Sequence, residues 1–193
     1  MDRVHDEMAC RDGKPCYGSY GGPAHKAFYS AMKTLEGPNA AGAWAFSTGL
    51  AATTTPLFAF VRAGCHALFS DSIYGPTREF AEQILRTMGV DVEFFDPVAS
   101  PEAIEAMMRP ETTLLMMENP GSHSFVPGIA AACRRHGVTS VIDNTWATPL
   151  YFKPLDHGVD MVVHAATKYI AGHSDLLMGV VVCNERVWPA VYR

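Results

Sequence analysis

Lys168 stands in the stretch His164-Ala-Ala-Thr-Lys168-Tyr-Ile-Ala-Gly-His-Ser-Asp175, where the apolar run Met161 to His164 gives way to a turn of small and hydroxyl residues. A lysine placed at the end of a buried strand is expected to be poorly solvated. Burial disfavours the ammonium form and lowers the lysine pKa, which frees the amine to act as a nucleophile or Schiff-base former near neutral pH. A lysine in a connecting loop can equally be a solvated surface residue, so the other strand ends must decide. Asp143 follows Val141-Ile142 and precedes Asn144-Thr145-Trp146; a carboxylate there is costly to bury unless it meets a cation or a hydrogen-bond donor. Ser47-Thr48-Gly49-Leu50-Ala51 follows another apolar run and opens a helical pattern. Free backbone N–H groups and the helix dipole favour phosphate at such a start, although small residues also open many helices that bind nothing. Tyr74 lies in the turn Asp71-Ser-Ile-Tyr-Gly-Pro-Thr77 before a helical pattern, where it can lie flat on an aromatic ligand or cover core. Asn119 and Ser122, in Glu118-Asn-Pro-Gly-Ser122, are hydrogen-bonding residues or turn formers.

These groups need a scaffold that gathers them. Short apolar runs recur at Ala43 to Phe46, His66 to Phe69, Val92 to Phe95, Thr113 to Met117, Val138 to Ile142, Met161 to His164 and Gly179 to Cys183. Most are continuous rather than alternating, which predicts strands buried on both faces by helices. Helical patterns lie between them at 49–62, 76–88, 101–108 and 128–136. A further one at 24–36 carries apolar residues at Ala27, Phe28, Ala31, Met32 and Leu35 and stops at Gly37-Pro38. The alternation predicts an α/β fold of three layers around a mostly parallel seven-stranded sheet. In such a sheet, ligands collect outside the carboxyl ends of the strands. A phosphate-binding helix start, a stacking tyrosine, a carboxylate and a lysine on one edge together describe a pocket for pyridoxal 5′-phosphate. Lys168 is then its imine lysine and Asp143 the partner of its pyridinium nitrogen.

The motifs carry a resemblance as well. Tyr17-Gly, Leu35-Glu-Gly, Thr48-Gly-Leu-Ala-Ala, Tyr74-Gly-Pro-Thr, Phe95-Asp-Pro, Glu118-Asn-Pro-Gly-Ser, Ile142-Asp-Asn-Thr-Trp-Ala and Ala165-Ala-Thr-Lys-Tyr-Ile-Ala-Gly-His-Ser-Asp run in order along the chain from residue 17. In these the chain resembles the pyridoxal-phosphate enzymes of cysteine and methionine metabolism, which have the fold of aspartate aminotransferase. Within that family Trp146 and the Ala-Ala-Thr-Lys wording look like the bacterial cystathionine β-lyase branch. The resemblance implies that Lys168 holds the cofactor and then removes the substrate α-proton. Asp143 keeps the ring nitrogen protonated, and Tyr74 stacks on the ring and assists proton transfer. Gly49, Leu50 and Thr167 hold the phosphate, with Tyr17 reaching in from a neighbouring subunit of a homo-oligomer, a dimer of dimers. The implied substrate is cystathionine or a related thioether. The γ-lyase and γ-synthase activities, or a catalytically inactive truncated fragment, are the alternatives.

The chain departs from that pattern in places. Ser19 stands where members carry an arginine that binds phosphate across the subunit interface, a loss of a charge-assisted contact. His123-Ser-Phe-Val-Pro127 is shorter than the usual segment, and Cys65 replaces an aspartate. Residues 1–16 read as a polar arm and 17–193 as the cofactor-binding large domain. The family's small C-terminal domain, with its substrate-carboxylate arginine, is expected to be missing.

Composition agrees with small-molecule chemistry. The 193 residues are 48% hydrophobic and 18% charged, with a net charge of −5, so no basic surface points to nucleic acid. No apolar run is long enough to span a membrane and the polar start is unlike a secretory signal, so a cytoplasmic protein is expected. The five scattered cysteines read as reduced and mostly buried thiols, and the eight histidines show no metal-ligand spacing.

Overall fold

Continuous apolar runs in this chain do become strands buried on both sides. The computed structural model describes residues 22–120 and 125–192. Its strands are β1 (Gly42–Phe46), β2 (His66–Ser70), β3 (Asp91–Phe95), β4 (Thr112–Glu118), β5 (Thr139–Asp143), β6 (Met161–His164) and β7 (Gly179–Cys183), all within one residue of the expected ends. They form one sheet in the order β1-β7-β6-β5-β4-β2-β3. β7 runs antiparallel to both β1 and β6, and every other neighbouring pair is parallel.

Successive side chains of a strand point to opposite faces, and β4 feeds both cores in that way. Leu115 and Met117 pack with Ile104 and Ile129 on one face, while Leu114 and Met116 pack with Leu57 and Leu85 on the other. The first face is covered by α1 (Pro23–Glu36), α4 (Pro101–Ala106) and α5 (Val126–His136). The second is covered by α2 (Gly49–Thr54) and by the turns Phe80–Leu85 that continue α3 (Gly75–Glu79). Two short helices, α6 (Thr148–Tyr151) and α7 (Trp188–Tyr192), complete the described fold. The expected helix over 49–62 is broken up, because Pro56 enters a 3₁₀ turn at Thr55–Ala59. The helix over 76–88 loosens into π-helical turns at Phe80–Leu85.

The helix α1 packs Phe28 and Met32 of its expected apolar stripe on the core but turns the rest outward. Ala27, Ala31 and Leu35 are exposed, whereas Met32 and Glu36 are buried. The reason is polar: Glu36 Oε1 lies 2.5 Å from Nε2 of His164, at the end of β6, and both side chains are essentially excluded from solvent. A buried charge or polar group must keep its partner, so this pair overrides the preference for burying Leu35.

The cysteines that can be placed, Cys65, Cys133 and Cys183, are buried and free, and burial pushes the Cys133 thiol up to about 12. Cys10 and Cys16 lie outside the described residues. Among the described residues no cluster of acidic, histidine or cysteine side chains could hold a metal ion, and no helix is long and apolar enough to cross a membrane.

At the amino-terminal edge of the parallel strands, Asp160 ties β5, β6 and the end of β7 together. Its carboxylate accepts from Ser140 N (2.9 Å), Ser140 Oγ (2.8 Å) and Asn184 Nδ2 (2.9 Å), and it is paired with Arg186. Burial alone would raise its pKa, but Arg186 and these donors hold it below the usual aspartate value. A depressed carboxyl contributes stability that is complete above its ordinary pKa and fades as pH falls through the folded value. Replacing Asp160 with Asn should therefore cost about 2 kcal/mol at neutral pH. Urea unfolding should also show that the variant loses less stability on acidification than the parent.

Candidate active site

The parallel neighbours β6, β5, β4 and β2 present their carboxyl ends on one edge. β1 ends there too, since it is reversed twice through β7. That edge receives Lys168 from β6, Asp143 from β5, Glu118 and Asn119 from β4, Tyr74 from the segment after β2, and the start of α2 after β1.

The α2 start is held unusually close to the lysine turn. A Cβ on Gly49 would lie 2.6 Å from Cβ of Ala165, and one on Gly179 would lie 2.2 Å from the Thr48 carbonyl oxygen. Only glycine lets helix and turn approach this far. Thr48 caps the helix by accepting from Ala51 N at 3.0 Å, while the N–H groups of Gly49 and Leu50 have no acceptor among the described residues. The lysine turn is clamped to the start of β7 by Thr167. Its hydroxyl donates to the Met178 carbonyl (3.0 Å) and accepts from Met178 N (2.9 Å). In this structure that hydroxyl is engaged with backbone.

Lys168 itself is exposed, which corrects the expectation of a poorly solvated amine. The turn rises beyond the end of β6, with Lys168 N donating to Ala165 O and Gly172 N to Lys168 O. The side chain is thereby carried clear of the helices that cover the sheet.

Asp143 is half-buried, and its Oδ1 accepts from both Thr145 N (3.0 Å) and Thr145 Oγ1 (2.6 Å). The same hydroxyl accepts from Ala165 N at 2.8 Å, so the carboxylate and the lysine turn are joined through one side chain. Among the described residues Asp143 Oδ2 accepts no hydrogen bond. Asn144 is fully buried, takes a bond from Asn119 Nδ2 (3.0 Å) and donates to the Phe152 carbonyl (2.9 Å), which fixes the ends of β4 and β5. At the rim, Trp146 and Tyr169 approach to 6.0 Å between ring centroids, and Tyr74 is 56% exposed, free to meet a flat ligand.

Glu118 is the group the sequence motifs leave without a role. It is in register with Asp143 across β4 and β5, so the two carboxyls share a face. Burial first, and then the Asp143 charge, push Glu118 up to about 7. Its Oε2 is buried with no hydrogen-bond partner among the described residues. The signal was the strand pairing, which motif order along the chain does not contain.

The donor set suits pyridoxal phosphate. Two free N–H groups at a helix start face the lysine turn, and a carboxylate oxygen is left open on the neighbouring strand. The close approach of Gly49 to Ala165 brings the helix start directly against the lysine turn. Comparison with known proteins agrees, since the family described as Cys/Met metabolism PLP-dependent enzyme matches residues 2–192. This chain belongs to that family. A putative cystathionine beta-lyase of Rhizobium johnstonii is 47% identical over 185 residues, covering 94% of this chain and 46% of that protein. An L-alanine/L-glutamate racemase of Wolbachia pipientis is 38% identical over 195 residues, covering 99% of this chain and 46% of the racemase. A cystathionine beta-lyase of Escherichia coli is 38% identical over 183 residues, covering 92% and 46%. The chain thus spans about half the length of the curated relatives it matches.

The candidate residues named above all lie at the carboxyl edge of the sheet. A separate groove of about 530 Å³, lined by Asn39, Arg134, Leu155, Asn184 and Arg186, lies beyond the end of β7 at the opposite edge. Tyr17, Ser19 and Ser122 lie outside the described residues. Replacing Thr145 with Val keeps the shape but removes the hydroxyl, leaving Ala165 N–H unpaired. This should cost about 1–3 kcal/mol in urea unfolding and weaken cofactor uptake followed by absorbance, while Thr145→Ser should retain most of both.

Proposed function

We propose that the chain forms the cofactor-binding part of a cystathionine β-lyase, a carbon–sulfur lyase of the pyridoxal-phosphate family. The reaction breaks the Cβ–S bond of L-cystathionine, consumes one water and yields homocysteine, pyruvate and ammonia. The observation that carries the reading is the link from Asp143 through the Thr145 hydroxyl to the lysine turn. It joins Asp143 to the turn that carries Lys168 at the ends of adjacent strands, which supports reading them as the ring-nitrogen carboxylate and the cofactor lysine. Two of the relatives described above bear the cystathionine beta-lyase name.

In this reading Lys168 would hold the cofactor, and its amine would accept the proton from the substrate α-carbon. Bound pyridoxal phosphate supplies the electron sink that makes that carbon acidic. Asp143, with Oδ1 anchored by Thr145 and Oδ2 open, would hold a proton on the ring nitrogen. Gly49 and Leu50 offer N–H groups to the phosphate, joined by Thr167 after its hydroxyl turns from Met178, and by Tyr17 of a neighbouring subunit in a homo-oligomer. Tyr74, exposed at the rim, covers the ring. The expected setting is the cytoplasm, where free thiols such as Cys65 stay reduced.

A second reading is favoured by the racemase relative. Removal of an α-proton is common to both activities, and they diverge in whether a β-substituent then leaves or the proton returns to the other face. γ-Elimination or γ-replacement is a third outcome of the same test.

Adding pyridoxal phosphate to the purified protein should give an imine absorption band, and borohydride should then fix the cofactor's mass on the peptide carrying Lys168. Lys168→Ala should show neither. Cystathionine should release pyruvate and homocysteine. D-alanine formed from L-alanine without pyruvate would move the assignment to a racemase, and 2-oxobutyrate from cystathionine would move it to γ-elimination.

A further inference from the structure

Two carboxyl groups occupy one face of the sheet where a single one would suffice to hold a ring nitrogen. Glu118 and Asp143 are direct partners in the β4–β5 register, and adjacent strands lie about 4.8 Å apart. Side chains in direct register on adjacent parallel strands are neighbours on one face, and two like charges in such a half-buried place oppose each other's ionisation. Asp143 has its own neutralising contacts, the N–H and hydroxyl of Thr145 on Oδ1. Glu118 has fewer: Oε2 is buried and without a partner among the described residues. The groups acting on it are Asp143 from β5, which opposes its ionisation, and the Tyr74 backbone N–H from the segment after β2, which favours it less strongly than burial and Asp143 oppose it. Burial and the neighbouring Asp143 charge thus push Glu118 up to about 7, and its buried Oε2 has no partner among the described residues to offset them.

From this arrangement we propose that Glu118 is a positioning residue of the cofactor site. It carries the proton of the Glu118–Asp143 pair, so that Asp143 presents a single compensated negative charge to the ring nitrogen. The assignment rests on the pyridoxal-phosphate reading of the site and adds a residue to it. A neutral Glu118 leaves the ring-nitrogen end with the one charge that a protonated pyridine matches. An ionised Glu118 adds a second, which strengthens the hold on the ring proton as pH rises. The affinity of the site for a protonated ring should thus change around the pH at which Glu118 titrates.

The test has two independent parts. In the cofactor-free protein, carbon-13 NMR of labelled glutamate side chains should show Glu118 titrating near pH 7, assigned by its loss in Glu118→Gln. Asp143→Asn, which removes the like charge, should move that midpoint down. In the cofactor-loaded protein, the wild-type absorption band should show a pH-dependent change in this range that Glu118→Gln abolishes while still binding cofactor. A Glu118 that titrates as an ordinary glutamate, or is indifferent to Asp143→Asn, overturns the proposal. So does a spectral transition that survives in Glu118→Gln. Absence of any band in the wild type would instead overturn the cofactor reading and leave the NMR result to judge the carboxyl pair. Should Glu118→Gln fold poorly, Glu118→Asp supplies the assignment and the Asp143→Asn shift still decides.

Discussion

The hydroxyl of Thr145 has one proton and lone pairs to share, and it spends them on the two strands that carry the chemistry. Its proton goes to Asp143 Oδ1, and a lone pair takes the N–H of Ala165, three residues before Lys168. The end of β5 and the turn after β6 therefore cannot move independently. The Thr145 backbone N–H reaches the same carboxylate oxygen, so Oδ1 is saturated and Oδ2 is left as the functional atom. A residue with a hydroxyl but a different backbone position could not do this, because the carboxylate, the N–H donor and the hydroxyl lie within one three-residue turn.

This polar tie works only because the surrounding backbone packs tightly. α2 has to pass over β7 to reach the turn after β6, and it does so by contacts that exclude a side chain at Gly49 and at Gly179. On the other face, α1 reaches the end of β6 through Glu36 and His164. Such a buried pair contributes little net stability against an apolar substitute but is costly to break one-sidedly. It specifies how α1 sits, and with it which face of that helix meets the sheet. His164 is also the last residue of β6, so a contact that orients a helix on one face fixes the starting point of the lysine turn as well.

The strands were readable from the chain because burial on both faces requires continuous apolar runs, and their carboxyl ends offered Lys168, Asp143, Tyr74 and Gly49 as candidates. What depends on neighbours in space was not readable. Leu35 looks like a core position by spacing, and only the reach of Glu36 to His164 shows why it faces outward. Lys168 looks buried because its strand is, yet the turn lifts it into solvent. The Thr167 hydroxyl is engaged with Met178, an arrangement that no local pattern encodes. Glu118 sits in a motif but acquires meaning only from the register that sets it beside Asp143.

The edge thus holds two electrostatic environments a few residues apart. At the lysine turn the described residues leave the amine in contact with solvent, which keeps it accessible to a cofactor or an amino acid arriving from outside. At the ends of β4 and β5 the carboxyls are half-buried beside the fully enclosed Asn119–Asn144 pair. There the effective dielectric is lower and charge–charge terms grow accordingly. A group bridging the two regions meets an exchangeable partner at one end and a rigid, strongly interacting one at the other. That asymmetry follows from topology: β6 lengthens into a projecting turn, whereas β4 and β5 are locked by side-chain amides at the point where they leave the sheet.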